Sequence, residues 1–290
     1  AMAKVSVEEQ QYKTYVLEDE TTANKVTVLP ERGGIVLTWE IGDLDIFYLD
    51  RERFKDPALS IRGGIPILFP ICGNLPGDTY QIEDQSYLLT QHGFARNLPW
   101  SVIQEESGEQ ASVTVQLTST ESTLASYPFN FSVDYTYVVK GNSLEIRQVY
   151  SNLSDQPMPF SFGFHPYFTV TDKSQLSFEI PAHQWQDKAT GNNQPFEGCF
   201  DFTQEELDMA LYPVSAQVAT VTDQSRSFKL TLEYDRPFST LVFWTVKGKD
   251  FYCLEPWSAP RNALNTGLEL TTLAPGERLE TWIRMTVEKL

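Results

Sequence analysis

The stretch FSVDYTYVVKGNSLEIRQVY, residues 131–150, decides the fold class. Apolar and polar residues alternate over 131–138 and again over 144–150, which predicts two strands with one apolar face each. Between them, Gly141-Asn142 has the residue types that a tight hairpin turn requires. Such strands are typical of antiparallel sheets and sandwiches, in which one face of the sheet packs on the core.

The same alternation continues in both directions and predicts an all-β protein. Further strands are expected within residues 1–50 and over 113–117, 228–234, 241–246, 251–254 and 279–287. No internal repeat, coiled coil or linker interrupts the 290 residues, a length that all-β folds often form as one unit. We therefore expect a single domain over residues 1–290, a large antiparallel β-sandwich.

Three segments do not follow this pattern. Residues 60–100 mix glycine and proline with large apolar residues, and we expect an ordered, irregular wall there, because such segments in compact domains are usually functional. Residues 183–199 have the composition of a loop. Thr203 is predicted to cap a short helical turn over 203–207.

Charge and cysteine content limit the function classes. Lys and Arg number 22 against 39 Asp and Glu, a net charge of −17, which argues against nucleic acid or anionic membrane as a partner. The cysteines, Cys72, Cys199 and Cys253, are widely spaced without a C-x-x-C motif, which argues against a disulfide framework or structural zinc. We find no apolar run near the ~20 residues of a membrane span and no signal-peptide pattern, and we expect a cytoplasmic protein.

The stretch FGFHPYF, residues 162–168, contains one of only three histidines in the chain. Pro166 favours extended backbone before it, so His165 is predicted at a strand end. The four aromatic residues around it are expected to give it apolar walls, where an imidazole that titrates near neutrality could exchange protons. The alternative is a partly buried histidine that bonds a backbone carbonyl.

Glu255 follows the apolar strand predicted over 251–254 and precedes Pro256-Trp257. A carboxyl group among large apolar side chains should have a raised pKa, which suits a general base that works near neutral pH. The alternative is a glutamate at a strand end, in solvent or in a salt bridge.

Four further residues could contact a ligand. On an acidic protein, Arg62 and Arg96 could bind a phosphate or a carboxylate, or hold sugar hydroxyls, although pairing with acidic side chains is the common role. His92 could bond a ligand or cap a turn. Asp208 is a lone acid among apolar residues, for which a helix surface is the usual explanation. No two histidines have metal-ligand spacing, so we expect no metal site.

Five segments, in this order, resemble the aldose 1-epimerase (galactose mutarotase-like) superfamily, and most closely its branch of glucose-6-phosphate 1-epimerases, or hexose-6-phosphate mutarotases. The segments are RGGIPILFP at 62–70, QHGFAR at 91–96, FGFHPYF at 162–168, LDMALY at 207–212 and CLEPW at 253–257. The resemblance implies a supersandwich of antiparallel strands and an enzyme without metal or organic cofactor. Its partner would be a small sugar or sugar phosphate, and we expect a monomer or weak dimer.

The resemblance also implies roles, position by position. His165 would be the general acid and Glu255 the general base of mutarotation, the exchange of α and β anomers through the open-chain aldehyde. The implied substrate contacts are Arg62, Gln91, His92, Arg96 and Asp208. The sequence after Glu255, Pro-Trp-Ser-Ala-Pro-Arg261, departs from the phosphosugar branch, where we expect a glycine soon after the glutamate. This departure leaves open whether the sugar carries a phosphate.

Two other functions fit the same residues. The first is a non-catalytic carbohydrate-binding or regulatory protein on the same fold, because a fold alone does not determine function. The second is a glycosidase or lyase, in which Asp208 and Glu255 would be the two carboxyl groups that flank the scissile bond.

Overall fold

The computed structural model describes residues 2–188 and 190–290, and strands dominate it. The strands of the first half are β1 Ala3–Glu9, β2 Lys13–Asp19, β3 Asn24–Leu29, β4 Ile35–Ile41, β5 Leu44–Asp45, β6 Ile67–Leu68, β7 Thr79–Ile82, β8 Gln85–Leu88, β9 Ser101–Glu106, β10 Ala111–Thr118, β11 Phe131–Lys140 and β12 Ser143–Asn152.

The second half of the chain contains the remaining strands and one of the short helices. Its strands are β13 Met158–Phe160, β14 Gly163–Phe164, β15 Tyr167–Thr169, β16 Leu176–Glu179, β17 Gln184–Asp187, β18 Asn193–Pro195, β19 Glu206–Leu211, β20 Val218–Asp223, β21 Phe228–Tyr234, β22 Thr240–Val246, β23 Phe251–Trp257, β24 Thr271–Leu273 and β25 Arg278–Lys289. The helices are α1 Arg51–Phe54, α2 Glu121–Ser126 and α3 Ala263–Thr266, with single 3₁₀ turns at Pro76–Asp78, Ala95–Asn97 and Lys173–Gln175.

Two eight-stranded sheets form the body of the fold. One has the order β16-β20-β21-β25-β12-β11-β10-β9, and the other has β18-β17-β19-β22-β23-β14-β6, with β15 also paired to β23. A five-stranded sheet, β1 to β5, precedes them, and β13-β24 and β7-β8 form small pairs. These sheets confirm the predicted all-β class and the antiparallel sandwich.

The core follows from the alternation along the strands. On β11 and β12 every second side chain is buried, as the sequence pattern predicts, and Gly141 turns between them with a φ of 59°. Tyr135 and Tyr150 face each other inside the core, where their hydroxyls share a hydrogen bond of 2.6 Å. The hydrogen bond satisfies both buried tyrosine hydroxyls. Each buried aromatic or aliphatic side chain of the core stabilises the fold by roughly 1.5–3 kcal/mol.

Three local predictions are wrong. The predicted helical turn over 203–207 is a turn in which the Asp201 carboxylate accepts the backbone N–H of Thr203, and β19 begins at Glu206. The predicted loop over 183–199 contains β17 and β18. The strand before Glu255 does not end there, because β23 continues to Trp257 and places the carboxyl group inside the sheet. Within the described residues, no helix has the length and apolar character needed to cross a lipid bilayer.

Candidate active site

Strand register brings His165 and Glu255 together. The short strands β14 and β15 both pair with β23, with Gly163 opposite Trp257 and Tyr167 opposite Cys253. The register is the same on both sides of the two-residue gap, so His165, the first residue of the gap, lies opposite Glu255. Pro166 has no backbone N–H and cannot continue the ladder, which is why the strand is interrupted at this point.

Gly163 allows this close packing. A β-carbon at position 163 would lie 2.7 Å from the carbonyl oxygen of Pro256 and 3.0 Å from Sγ of Cys72. Any side chain there would therefore push β14 away from β23. Gly163 in FGFHPYF therefore allows β14 to lie close to β23.

The imidazole and the carboxyl group are buried and close. Nε2 of His165 lies 3.5 Å from Oε2 of Glu255, and their side chains are 12% and 2% exposed. Burial raises the pKa of Glu255 well above its usual value, and the Asp208 carboxylate raises it further. Burial lowers the pKa of His165 to about 4. Near neutral pH the imidazole of the free protein is therefore neutral, and burial favours the protonated form of the carboxyl group.

This pKa corrects the expectation that His165 titrates near neutrality. The predicted aromatic walls are confirmed only in part: the imidazole stacks on Tyr167, with ring centres 4.9 Å apart, but its other wall is Trp244, 5.7 Å away, which was not predicted. Phe164 packs instead in the main core, against Tyr135. Desolvation by this closed environment disfavours the imidazolium, and the positive charge of Arg96 disfavours it further.

His92 is a fixed neutral donor. Its Nδ1 accepts the backbone N–H of Gly73 at 2.8 Å, and burial holds its pKa well below the usual value. The remaining ring proton is therefore on Nε2, which can donate to a ligand oxygen. Its ring lies 5.6 Å from that of His165 and 5.8 Å from that of Trp257, so the donor faces the same space as the acid–base pair.

Two arginines supply positive charge without a carboxylate partner among the described residues. Arg96 donates from Nη2 to the carbonyl oxygen of Gln91 at 3.2 Å, while its Nε is buried without a partner. Arg62 is exposed and also lines the cleft. Free guanidinium groups on a protein with a net charge of −17 indicate a site for an anion or for oxygen-rich ligands.

Asp208 lines the same cleft as the two arginines. It is on β19, paired with Trp244 of β22, and its carboxylate accepts a hydrogen bond from Lys188 Nζ at 3.2 Å. The helix surface suggested for Asp208 is therefore wrong, and the residue is on a strand beside the cleft.

One cleft of about 320 Å³ brings together all seven residues singled out in the sequence: Arg62, Gln91, His92, Arg96, His165, Asp208 and Glu255. The sequence did not single out several other residues that line it, namely Lys188, Glu206, Trp244 and Arg261. Arg261 lies 5.5 Å over the Trp257 ring and donates to Oδ1 of Asn74 at 3.1 Å. The departure noted after Glu255 ends at this residue and was the one available signal for it.

A metal ion could find donors here. Donor atoms of His165, Cys253 and Glu255 lie within 4.8 Å of one another. Among the residues that the structure describes, Nδ1 of His165 has no hydrogen-bond acceptor, which metal-binding histidines almost always have. That the protein works without a metal remains a prediction.

Comparisons with known proteins point to one family. A family model described as aldose 1-epimerase matches residues 13–286. The solved structure of the Slr1438 protein from Synechocystis sp. PCC 6803 is 43% identical, covers 99% of both chains and has a TM-score of 0.95. A galactose mutarotase-like protein from Clostridium acetobutylicum, 20% identical over 99% of both chains, shares the fold with a TM-score of 0.85. A Cenchrus ciliaris protein named "Putative glucose-6-phosphate 1-epimerase" is 26% identical over 84% of this chain and 76% of its own.

Proposed function

The chain belongs to the aldose 1-epimerase family, and from this premise we propose that it is a mutarotase that interconverts the α and β anomers of an aldose. The observation that carries the proposal is the separation of 3.5 Å between His165 Nε2 and Glu255 Oε2 in a polar cleft. The reaction needs one base and one acid close together, and no covalent nucleophile.

The pair shares one exchangeable proton, which burial of Glu255 favours on the carboxyl group before the sugar binds. When the sugar binds, this proton moves to His165 and leaves the carboxylate as base. Glu255 then takes the proton of the anomeric hydroxyl while His165 protonates the ring oxygen, the bond from C1 to that oxygen breaks, and the aldehyde forms. Rotation about C1–C2 presents the other face, and the same groups reverse their roles to close the ring. Acid–base groups of this kind typically contribute about 10²–10⁴-fold.

The other cleft residues orient the sugar. His92 donates from Nε2 to a sugar oxygen, and Asp208 accepts from a hydroxyl. Arg62, Gln91 and Arg96 hold the part of the sugar away from C1. A ring held in one orientation makes the proton transfers effectively intramolecular, which is a large share of enzymatic rate enhancement.

A 6-phosphate is the finer proposal. Two guanidinium groups without carboxylate partners can bind a phosphate, and the Cenchrus ciliaris relative is named for glucose 6-phosphate. Arg261, at the end of the segment that departs from the phosphosugar pattern, adds a third guanidinium group to the cleft.

Polarimetry of freshly dissolved α-glucose and of α-glucose 6-phosphate tests both levels of the proposal. We expect catalysed mutarotation of at least one of the two, and a loss of about 10³-fold or more in Glu255→Gln, which keeps the acceptor for Trp257 Nε1 but cannot take a proton. If wild-type protein leaves the spontaneous rate of every aldose unchanged, or if Glu255→Gln is fully active, the proposal is wrong.

A further inference from the structure

Three side chains that can bind a metal ion meet at the acid–base pair. A ring nitrogen of His165, the sulfur of Cys253 and a carboxyl oxygen of Glu255 all lie within 4.8 Å of one another. Imidazole nitrogen, thiolate sulfur and carboxylate oxygen are the ligand atoms that bind zinc in proteins. The spacing of histidines along the chain gives no sign of this group, because different strands bring the donors together.

Strand register holds these three residues in place. Cys253 and Glu255 are two residues apart on β23, so their side chains project from the same face of the sheet. Tyr167 pairs with Cys253, and His165 is two residues before Tyr167. Ligands that a sheet holds close together before the ion arrives lose little conformational entropy when it binds.

The spacing of the donor atoms suits one tetrahedral ion. With zinc–ligand bonds of about 2.0–2.3 Å, neighbouring ligand atoms in a tetrahedral site are roughly 3.3–3.8 Å apart. The distance of 3.5 Å between Nε2 of His165 and Oε2 of Glu255 is already in this range. The sulfur of Cys253, within 4.8 Å, has to move by about 1 Å at most, which a small rotation of its side chain supplies.

Cys253 takes no part in the proposed mutarotation. It is a free, buried cysteine that packs with Tyr167 and Phe251. In the part of the chain that the structure describes, no side-chain hydrogen bond occupies its sulfur. Packing alone would explain a small residue at this position, and replacement of Cys253 by alanine separates packing from metal binding.

We propose that Zn²⁺ binds to His165, Cys253 and Glu255 and thereby inhibits the protein reversibly. The inhibition rests on the proposed function, whereas the zinc site does not. Binding forms one bond each to nitrogen, sulfur and oxygen, and water is the fourth ligand. The thiol proton of Cys253 and any proton on Glu255 pass to solvent, with no change of oxidation state. The ion then occupies the lone pairs that proton transfer to and from the sugar requires.

The surroundings of the site favour moderate affinity. Asp208 acts on Glu255 as a second negative charge, whereas Arg96 acts on the same group as a positive charge that opposes a cation. Nδ1 of His165 has no acceptor among the described residues, and second-shell partners of this kind are worth about 10-fold to 100-fold in metal affinity. We therefore expect a dissociation constant on the order of micromolar, which suits a reversible inhibitor and not a permanent structural ion.

The first test measures zinc binding directly on the full chain, freed of metal with EDTA and then desalted. Wild type, Cys253→Ala and the control Cys199→Ala, which removes an exposed cysteine, are titrated with zinc against a chromogenic chelator. We expect one zinc ion per chain in wild type and in Cys199→Ala, and an affinity about 10-fold to 100-fold weaker in Cys253→Ala.

Cobalt gives a spectroscopic signature for the same ligand. Co²⁺ bound to a thiolate has a charge-transfer absorption in the near ultraviolet, which we expect in wild type and in Cys199→Ala but not in Cys253→Ala. If the alanine variant does not fold, Cys253→Ser keeps the volume and gives the same comparison. Absence of zinc binding in wild type, or equal affinity in all three proteins, would overturn the site.

The second test follows anomer exchange by polarimetry as zinc is added, relative to the zinc-free rate of each protein. We expect half of the activity of wild type and of Cys199→Ala to be lost near the measured dissociation constant, with a raised apparent KM and full recovery in EDTA. Cys253→Ala should need about 10-fold to 100-fold more zinc. Cys253-dependent binding without inhibition would contradict a site on the acid–base pair. If no protein exchanges any sugar even without zinc, the proposed function fails, and the binding titration alone decides the site.

Discussion

The chemistry of the cleft depends on two residues whose pKa values burial shifts in opposite directions. Glu255 has its pKa raised and His165 has its pKa lowered to about 4, so burial favours the uncharged form of both side chains. The sequence around each residue singled it out, and the resemblance assigned the roles of acid and base. It could not supply the low pKa, because that value depends on how completely Tyr167 and Trp244 enclose the imidazole. Alternation alone does not tell which aromatic residues face a cleft and which face the core.

The pH profile tests this arrangement. A second proton enters the pair only as the pH falls through about 4, so we expect kcat/KM to be flat between about pH 5 and 7 and to fall below that range. Polarimetry in buffers of constant ionic strength measures kcat/KM at each pH, and circular dichroism confirms that the protein stays folded. An acid limb near pH 6.5 would mean that the histidine titrates like an exposed one.

Stability gives an independent measure of the buried carboxyl group. Folding raises the pKa of Glu255, so its contribution to stability is fully present below about pH 4.5 and is lost as the pH rises through the folded-state value. We expect Glu255→Gln to unfold at a higher temperature than wild type at about pH 8–9. Its unfolding free energy should be higher by about 1.4 kcal/mol per unit of pKa shift, and the difference should vanish towards pH 4.5. Glu52→Gln, at an exposed ion pair, should show no such trend. A Glu255→Gln variant less stable at every pH would contradict the raised pKa.

At the scale of elements, the site is a consequence of strand register. The hairpin of β11 and β12 was predictable because its alternation and its turn agree. The segment Glu206–Leu211 also alternates, but the Thr203 signal for a helix start was misleading because Asp201 makes a local turn there instead. The pairing of β14 and β15 with β23 joins residues about ninety positions apart, and strands of two or three residues carry too little pattern to predict.

Gly163→Ala tests the role of register. Its β-carbon would be 2.7 Å from the carbonyl oxygen of Pro256, so β14 must move, and we expect a loss of about 1–3 kcal/mol in unfolding free energy together with a fall in kcat. Gly141→Ala is the control, because it strains a turn with φ of 59° in open space and should cost about 1 kcal/mol without changing kcat. Normal kcat in Gly163→Ala would contradict the link between this strand and the acid–base pair. Urea unfolding and polarimetry give the two quantities.

For the whole molecule, the sequence correctly predicted the all-β sandwich, because alternation repeats along most of the chain. The single domain over 1–290, the cytoplasmic location and the monomer or weak dimer stay predictions. Lys188 lies in a turn and Trp244 lies on the apolar strand β22, and neither sequence indicates that the side chain reaches the cleft. The net charge of −17, in contrast, follows directly from the amino-acid composition.

Salt should stabilise this protein. A net charge of −17 destabilises the compact state through self-repulsion, which salt screens. We expect the unfolding midpoint to rise by a few degrees when NaCl increases from about 0.02 to 0.3 M, measured by calorimetry at pH 7.5, with a smaller rise in a variant in which exposed glutamates are replaced by glutamine. A midpoint that falls with salt would mean that ion pairs outweigh the net repulsion.

Anomer exchange in the two single variants of the acid–base pair tests the central claim most directly. Magnetisation-transfer NMR on 1-¹³C-labelled sugar measures exchange between α and β signals at equilibrium in wild type, His165→Asn and Glu255→Gln. We expect enzyme-dependent exchange in wild type, a loss of about 10²-fold or more in His165→Asn and a loss of about 10³-fold or more in Glu255→Gln, while both variants remain folded and bind the sugar. Exchange at the wild-type rate in either variant would show that the two side chains meet in the cleft for another purpose.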